Sequence, residues 1–320
     1  MKYTYYPGCS LEKNASAYND STLAIAKPLG MELQEIDDWN CCGAVEFIAV
    51  DKMQAYALAT RNLALAESQS SNGENLVAPC SACFLNLSKC DAYLEAAPDL
   101  AKKVNQALAV GGLHYTPGAV HTRHLLDVIV NDVGYEAVTK KVSKPLYGLR
   151  VAPYYGCLIV RPGFLDKFDD PEYPTSLDKL TQALGATVVD FPMKAKCCGG
   201  HMTQISEEIS LQMIHHLLKN AADYNADVIV TICPMCQLNL DAYQQNVNKA
   251  LGTDYNIPIL YFTQLIGLAM DLSADELGFG KEFVDARSAL EKIGVKPPKK
   301  EQKKRPSKEA LPMPTMAEED

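Results

Sequence analysis

Cysteine is the residue type whose number and spacing could do chemistry in this sequence. Ten of the 11 cysteines fall into two copies of one pattern, in which a single cysteine is followed by a Cys-Cys-Gly and then by a Cys-x-x-Cys. The two gaps are 31 and 36 residues long in the first copy, and 39 and 33 residues long in the second. The first set is Cys9, Cys41, Cys42, Cys80 and Cys83, and the second set is Cys157, Cys197, Cys198, Cys233 and Cys236. Repeated thiols of this kind indicate two sites for a soft metal.

Five thiols in each set favour iron–sulfur chemistry over zinc. A structural zinc ion is closed by four ligands and would leave one thiol in each set unexplained. Iron–sulfur clusters are built on cysteine thiolates, and several irons can share five of them. A zinc-bearing scaffold without catalysis remains the alternative interpretation.

Disulfide bonds are another use of paired cysteines, and the N-terminal sequence argues against them. Residues 1–9 read MKYTYYPGC, which contains no apolar h-region and no cleavage site of a secretory signal. We therefore expect a cytoplasmic protein. In that reducing compartment, spaced cysteines are more often metal ligands or catalytic thiols than structural bridges.

Length, composition and charge exclude several classes of partner. A chain of 320 residues, 48% of them apolar, is long enough to fill two domain cores. Its 30 basic and 39 acidic residues give a net charge of −9, which repels nucleic acid and anionic lipid surfaces. No run approaches about 18 consecutive apolar residues, so we expect no direct membrane span.

The duplication extends beyond the cysteines. Residues 76–87 correspond to residues 229–240 at a constant offset of 153, and residues 5–9 correspond to residues 153–157. These matches predict an internal repeat of about 150 residues. We predict a first domain at residues 1–143, a second at 144–273, a C-terminal helical extension at 274–296 and a disordered tail at 297–320.

The predicted tail has its own composition. Residues 297–320 contain six basic residues, five acidic residues and five prolines, and few large apolar side chains. Such a segment cannot bury enough apolar surface to fold alone. It is either a solvated tail or a peptide that docks on a partner subunit through residues 311–314.

Hydrophobic patterning places the cysteines on an α/β framework. The predicted strands are residues 3–6, 31–36, 76–78 and 113–115 in the first repeat, and 150–154, 186–191, 227–232 and 257–261 in the second. The predicted helices include residues 15–29 and 44–70 and a helix after Cys83. Strands that alternate with helices predict a small parallel sheet in each repeat. Each cysteine group then follows the carboxyl end of a strand, where α/β sheets bind their ligands.

With these motifs in place, the sequence resembles the family of B-type subunits of heterodisulfide reductase over about residues 1–270. The resemblance rests on the Cys…Cys-Cys-Gly…Cys-x-x-Cys motif, which is complete in both copies. It implies two cysteine-rich CCG domains related by a pseudo-two-fold duplication. It also assigns a non-cubane 4Fe–4S cluster to each set, with all ten cysteines as metal ligands and as catalytic residues through their clusters.

The resemblance also implies an activity and partners. Members of this family reductively cleave a disulfide lodged between the two clusters, with one electron from each cluster and each product sulfur captured at a cluster iron. Electrons would come from a ferredoxin-like C-type subunit with cubane 4Fe–4S clusters and from a flavin-bearing A-type subunit. This fits a chain that lacks the cysteine run of ferredoxins and any Gly-x-Gly-x-x-Gly, so we expect no flavin or NAD of its own. The disulfide or thiol substrate, from methanogenesis or sulfur metabolism, and the direction of catalysis stay open.

A second function class is kept beside the first. Similar paired CCG domains occur in lactate, glycolate and succinate/fumarate oxidoreductase complexes, where the clusters relay electrons or meet a quinone. The intact second set favours catalysis, because a relay tolerates the loss of one site and a disulfide reductase with two clusters does not.

Residues beside the motifs are further candidates, each with a structural alternative. His201 follows the second Cys-Cys-Gly and could donate a proton to a leaving thiolate, as histidine side chains do in catalysis. Cys90 lies two helical turns beyond Cys83 and is expected to be a buried structural cysteine.

The remaining candidates are charged or aromatic. His121 and His124 have helical spacing and could line a substrate pocket, or they cap a helix or face solvent. Arg123 and Arg161 are candidate clamps for an anionic substrate or surface residues. Tyr6 and Tyr155 precede the first cysteine of each set and wall the sites or pack in the core.

Overall fold

The computed structural model describes residues 1–44, 47–70, 75–163 and 168–295, and every structural statement concerns these ranges. The chain forms two four-stranded parallel sheets, one in each repeat, with helices packed around them. The predicted α/β class with a duplicated domain is therefore confirmed. The predicted tail at 297–320, with its docking segment at 311–314, lies outside the described residues.

The first repeat contains four strands in the order β2-β1-β3-β4, and all neighbouring strands are parallel. The strands are β1 (Lys2–Tyr5), β2 (Glu32–Glu35), β3 (Leu76–Ala78) and β4 (Thr122–His124). The helices are α1 (Cys9–Glu12), α2 (Ser16–Ala26), α3 (Phe47–Val50), α4 (Lys52–Gln69), α5 (Ser81–Ala96), α6 (Pro98–Ala109), α7 (Leu125–Val128) and α8 (Tyr135–Thr139), with a π-helical turn at Ile129–Gly134.

The second repeat has the same strand order, β6-β5-β7-β8, again parallel throughout. Its strands are β5 (Arg150–Tyr154), β6 (Thr187–Val188), β7 (Val228–Thr231) and β8 (Ile259–Tyr261). Its helices are α9 (Ser176–Ala183), α10 (Glu207–Asp223), α11 (Pro234–Ala242), α12 (Gln244–Leu251), α13 (Phe262–Ala269) and α14 (Arg287–Leu290), with a 3₁₀ turn at Gly200–Gln204.

Local sequence explains several of these boundaries. The central strand β7 is buried along its whole length, as expected for a parallel strand covered by helices on both faces. The helix predicted at 44–70 is interrupted, because the Asp51 side chain accepts a hydrogen bond from the Gln54 N–H at 2.9 Å and caps α4. The strands predicted at 76–78 and 150–154 coincide with β3 and β5.

The strand predicted at residues 113–115 is wrong. The Asn105 side chain accepts from the Tyr115 N–H and donates to the Tyr115 carbonyl, both at 2.9 Å, so those backbone groups are not available to a neighbouring strand. The fourth strand is instead β4, at the position that β8 takes in the second repeat. The helical spacing assumed for His121 and His124 is therefore also wrong, since the residues between them are extended.

The two repeats pack together around Tyr18. Its ring stacks on Tyr261 with a centroid separation of 4.3 Å and an interplanar angle of 7°. Its hydroxyl lies 3.1 Å from the carbonyl of Pro79 and 3.2 Å from that of Ile232, which precede Cys80 and Cys233 in sequence. Helices α2 and α13 also meet at this interface. One buried phenol therefore joins the two cysteine-bearing loops.

The C-terminal extension is less helical than expected. Residues 274–295 consist mainly of turns and contain one four-residue helix, α14. The extension packs against both repeats: the backbone N–H groups of Phe283 and Val284 donate to the two carboxylate oxygens of Asp241, and the Lys281 ammonium donates to the Asp20 carboxylate of α2 at 2.6 Å. None of the helices in the described ranges is both long and apolar enough to cross a membrane.

Candidate metal centres

The cysteines lie where the sequence predicted, beyond the carboxyl ends of strands. Cys9 begins α1 after β1, and Cys80 is the N-cap residue of α5 after β3. In the second repeat Cys157 follows β5, and Cys233 is the N-cap residue of α11. The two Cys-Cys-Gly segments follow β2 and β6 at the same edges of the sheets. Three segments that are distant in sequence thus converge in each repeat.

All ten thiols form one continuous chain of neighbours that passes from one set to the other. The Sγ atoms of Cys9 and Cys41 are 3.4 Å apart, and those of Cys42 and Cys83 are 3.3 Å apart. The order along the chain of thiols is Cys9, Cys41, Cys42, Cys83, Cys80, Cys233, Cys236, Cys198, Cys197 and Cys157. The order reads alike from both ends, with its midpoint at the contact between Cys80 and Cys233. The two sets therefore adjoin each other.

Two buried tyrosines hold the Cys-Cys-Gly loops in equivalent ways. The Tyr6 hydroxyl donates to the carbonyl of Asn40 at 2.8 Å, and the Tyr154 hydroxyl donates to that of Lys196 at 2.7 Å. Each of these carbonyls belongs to the residue that precedes a Cys-Cys pair. The counterpart of Tyr6 is therefore Tyr154 and not Tyr155, because the matching tyrosine stands three residues before its cysteine in both repeats.

Tyr155 has a different position. Its hydroxyl donates to the carboxylate of Asp178 at 2.7 Å and accepts from the Leu177 N–H at 2.7 Å, which fixes the start of α9. Tyr155 also lines the cavity beside the second cysteine set. Tyr155 is fully buried in the core as well, so both sequence alternatives describe its position.

Two asparagines that the sequence did not single out also hold these loops through hydrogen bonds. Asn86 donates to the carbonyl of Cys42. Asn239 donates to the carbonyls of Cys198 at 3.2 Å and Gly200 at 2.7 Å. The signal was present, because both asparagines occupy the same place in the repeated segment, six residues after the first cysteine of each Cys-x-x-Cys.

Glycine is required just before the first cysteine of each set. Gly8 has φ +75° and Gly156 has φ +68°, in the left-handed region that other residues rarely adopt. A Cβ atom at Gly8 would lie 3.0 Å from the Cys83 Sγ, and one at Gly156 would lie 3.0 Å from the Cys236 Sγ. The backbone thus approaches one thiol of each set so closely that a side chain would displace it.

The thiols influence one another's ionisation. The pKa of Cys41 lies far below the usual thiol value because the thiols of Cys42 and Cys9 and the Gly43 N–H stabilise its thiolate. The pKa of Cys197 is lowered in the same way by Cys157, Cys198 and Gly199.

The pKa of Cys233 is lowered too, chiefly by hydrogen bonding to Cys236 and Cys80, whereas the remaining thiols of the two sets show the opposite shift. Hydrogen bonding to Cys41 raises the pKa of Cys9, and hydrogen bonding to Cys42 raises the pKa of Cys83. Crowded thiols can all ionise only when a cation balances their charge, and a bound metal deprotonates coordinating thiols outright. The donor set, five sulfurs on a cramped backbone, therefore fits an iron–sulfur group. Among the described residues, no three potential ligands already enclose the position of a single metal ion.

The surroundings of the two sets differ. A cavity of about 310 Å³ opens beside the second set, and its walls include the apolar side chains of Leu158, Met202, Ile205 and Met235. The depression beside Cys41 in the first set is lined instead by Glu12, Glu35, Asp37, Asp38 and Trp39 among others. The two repeats match in their cysteines but differ in the residues that line the space beside each set.

Two of the remaining candidates lie at the second set. His201 lines the cavity of that set from the 3₁₀ turn that follows the Cys-Cys-Gly. Arg161 makes an ion pair with Glu172 at 3.2 Å, and its charge is one of the causes that lower the pKa of Cys197.

The others have structural contacts. Arg123 donates to Asp127 and Asp132, both at 2.7 Å, so its guanidinium is engaged by two carboxylates. The His124 Nδ1 accepts from the Leu126 N–H at 3.1 Å and caps α7, as one sequence alternative held. His121 is exposed, and Cys90 is buried with its Sγ 3.1 Å from the Thr60 hydroxyl oxygen.

Comparison with known proteins gives a consistent result. The profile of the cysteine-rich domain CCG matches residues 3–88 and 151–241. The 8-methylmenaquinol:fumarate reductase membrane anchor subunit of Wolinella succinogenes is 37% identical over 286 residues, which are 89% of this chain and 98% of that protein. The B-type subunit of the Ferredoxin/F(420)H(2)-dependent CoB-CoM heterodisulfide reductase of Methanosarcina acetivorans is 31% identical over 300 residues, 91% of this chain and 97% of that protein.

Two further matches extend the comparison. A protein of Archaeoglobus profundus, named as similar to the B-type heterodisulfide reductase subunit, is 31% identical over 282 residues, 87% of this chain and 93% of that protein. The crystal structure of a hypothetical protein from Helicobacter pylori superimposes with a TM-score of 0.68 at 15% identity. That match covers 89% of this chain and 52% of the other, and it shows a shared fold.

Proposed function

Since this chain belongs to the family of B-type heterodisulfide reductase subunits, with its duplicated cysteine-rich CCG domain, we propose that it is the catalytic iron–sulfur subunit of an oxidoreductase complex that reductively cleaves, or in reverse forms, a disulfide. Its relatives are named as subunits of oxidoreductases, which supports the reaction class. The substrate class and the direction are the finer parts of this proposal.

The contact between Cys80 and Cys233 carries the proposal. Cleaving a disulfide needs two electrons, from one two-electron carrier or from two one-electron centres on either side of the bond. Because the thiol chain crosses from one set to the other at this contact, groups held by the two sets would face each other. When bound, two non-cubane 4Fe–4S clusters would each supply one electron. Their ligands would be Cys9, Cys41, Cys42, Cys80 and Cys83, and Cys157, Cys197, Cys198, Cys233 and Cys236.

The residues around the second set support a substrate site there. The apolar side chains of Leu158, Met202 and Met235 would keep water away from a sulfur–sulfur bond in the cavity. Cleavage leaves two sulfur anions, and each takes up a proton to give a thiol. The imidazole of His201 in the cavity wall is the proposed donor of one of them.

A second candidate function is an electron relay that meets a quinol. The relative with 37% identity is named as part of an 8-methylmenaquinol:fumarate reductase, and the apolar cavity of the second set would also admit a quinone ring. In that case the substrate of the complex reacts on another polypeptide, and the two cysteine sets pass electrons between them.

The complex is part of the proposal. Relatives are named as subunits, so a multi-subunit assembly is expected here too. We propose a ferredoxin-like C-type subunit with cubane 4Fe–4S clusters and a flavin-bearing A-type subunit as the electron donors, and a cytoplasmic location. The domain division at residues 143 and 273 and the expectation of no flavin or NAD in this chain stay proposals.

Metal analysis with electron paramagnetic resonance tests the function. Protein purified without oxygen is analysed for iron, zinc and acid-labile sulfide, and spectra are recorded before and after adding coenzyme M or a menaquinol analogue under oxidising conditions. About eight irons per chain and a signal perturbed by the thiol would support disulfide chemistry. About two zinc ions with little sulfide would overturn both functions. A response to the quinol alone would select the relay.

A further inference from the structure

Each repeat has a cleft beside its fourth strand, apart from the cavity of the second cysteine set. In the first repeat this "β4 cleft" has a volume of about 350 Å³. Its lining includes Ser88, Asp91, Glu95, His121, Thr122, Arg123 and His124. The equivalent "β8 cleft" measures about 130 Å³ and includes Gln237, Asp241, Ile259, Tyr261 and Gln264. The two clefts occupy corresponding places in the internal repeat.

The β8 cleft shows what packs beside the fourth strand in the second repeat. The chain's own C-terminal extension packs along it, and Lys281, Glu282 and Phe283 form part of its wall. The N–H groups of Phe283 and Val284 each donate to the Asp241 carboxylate at 2.9 Å. A peptide segment therefore packs against this position in the second repeat and is held there through its backbone N–H groups.

Two hydroxyl groups of the β4 cleft have no hydrogen-bond partner among the described residues. Thr122 is 7% exposed, and among the described residues its hydroxyl has no hydrogen-bond partner. The buried Ser88 hydroxyl, at the position equivalent to Asp241, likewise has no partner in the described part of the chain. A buried polar group without a partner destabilises the fold, so these two hydroxyls favour a ligand or a water molecule that donates a hydrogen bond to them.

The charge of the β4 cleft favours a cation. Asp91, Glu95 and Asp127 contribute carboxylates to its wall. The positive charge of Arg123 is already balanced by Asp127 and Asp132, both 2.7 Å away. A lysine or arginine side chain entering the cleft would therefore meet a net negative wall.

The position of the cleft relates it to the two cysteine sets. The Nε2 atom of His124, in the wall of the β4 cleft, lies 3.3 Å from the hydroxyl oxygen of Ser81. Ser81 follows Cys80 and also lines the cavity of the second set. The side chain of Ser81 thus lies between the cleft and the contact of Cys80 with Cys233.

From these observations we propose that the β4 cleft binds an extended peptide segment, carrying a lysine or arginine, from a partner subunit of the complex. The segment donates backbone N–H groups to Ser88 and Thr122 and places its cation against Asp91 and Glu95. This inference rests on the proposed function only in requiring a partner subunit. It holds for either the disulfide reductase or the electron relay.

Photo-crosslinking tests the identity of the occupant. His121 is exposed at the rim of the cleft, so p-benzoylphenylalanine is placed there, and the complex is purified intact, irradiated and analysed by mass spectrometry. We expect a crosslink to a basic segment of another subunit. The control probe at Val110, which is 92% exposed and directly follows the last residue of α6, should not give that crosslink. Crosslinks only to residues 296–320 of this chain, to a second copy, or to no polypeptide would each overturn the proposal.

Two substitutions test the contacts. Thr122→Val removes the unpaired hydroxyl, and it should leave the free chain at least as stable while weakening partner binding by roughly 2- to 12-fold. Glu95→Lys reverses a rim charge and should weaken binding further, most strongly at low salt, whereas the exposed Glu136→Lys on α8 should not. Unchanged partner affinity in both cleft variants would contradict the proposal. Iron content, measured in parallel, reports separately on the proposed function.

Discussion

Substitution of Gly156 by alanine provides the sharpest test of the second cysteine set. At φ +68° an alanine costs about 1–2 kcal/mol in backbone strain. Its Cβ would also lie 3.0 Å from the Cys236 Sγ, whereas a relaxed contact needs roughly 3.5–4 Å, so the thiol must move by about 0.5–1 Å. Disturbances of this size beside a metal site typically lower metal affinity by roughly 10- to 100-fold. We expect Gly156→Ala to lose about half of the bound iron.

The matched control is Gly252→Ala. Gly252 ends α12 at φ +66°, and nothing lies within 4 Å of the added Cβ, so this variant bears the same backbone strain without touching a thiol. Both variants should lose a similar free energy of unfolding, measured by denaturant titration, while only Gly156→Ala loses iron and one paramagnetic signal. Full iron content and an unchanged spectrum in Gly156→Ala would refute the placement of Cys236 as a ligand held by this backbone.

Three further predictions follow from buried polar contacts. Asn239→Ala leaves two carbonyls of the Cys-Cys-Gly loop without their donor and should cost about 2 kcal/mol of unfolding free energy and speed iron loss, while the exposed Asn131→Ala should do neither. Burial lowers the pKa of His124 from 6.5 to about 4, so the unfolded chain binds a proton that the native chain does not. This contribution to the free energy of unfolding is therefore fully present above pH 6.5 and is lost towards pH 4, by at most about 3 kcal/mol. His124→Asn keeps a capping side chain and should flatten this pH dependence, measured by denaturant titration at each pH. Lys194→Met strands the carboxylate of Asp178, now 2.6 Å from the ammonium, and should cost about 3–5 kcal/mol in thermal or chemical unfolding.

The sequence predicted the cysteine edge of the fold well because two strong signals coincide there. The spacing of the cysteines repeats, and the strands that precede the cysteines, such as β3 and β7, are short apolar runs. Parallel strands bring their carboxyl ends to one edge, so convergence of the thiols followed from topology alone. The contact between Cys80 and Cys233 did not, because it depends on how the two repeats pack.

The errors have local causes. Residues 113–115 are Leu-His-Tyr and alternate in polarity like a strand, but a single side chain, Asn105, binds the backbone of Tyr115 instead. The true strand β4 is Thr-Arg-His, whose polar residues gave no strand signal. Tyr155 was named beside Tyr6 as a candidate wall residue, although the match of residues 5–9 to residues 153–157 already aligns Tyr6 with Tyr154, which makes the equivalent hydrogen bond. Hydrogen bonds from single side chains to the backbone depend on the tertiary structure, which a pattern of hydrophobic residues does not encode.

Tyr18 shows what joining two copies in one polypeptide makes possible. Its hydroxyl has a single proton to share between the Pro79 and Ile232 carbonyls, and the ring it stacks on, Tyr261, has His124 as its counterpart in the other repeat. A homodimer must place the same residue on both sides of its two-fold axis. Here the two halves are covalently linked, so the residues at this junction differ between them, and Tyr18 of the first half stacks on Tyr261 of the second. Neither half, expressed alone, could rebuild this junction by pairing with itself.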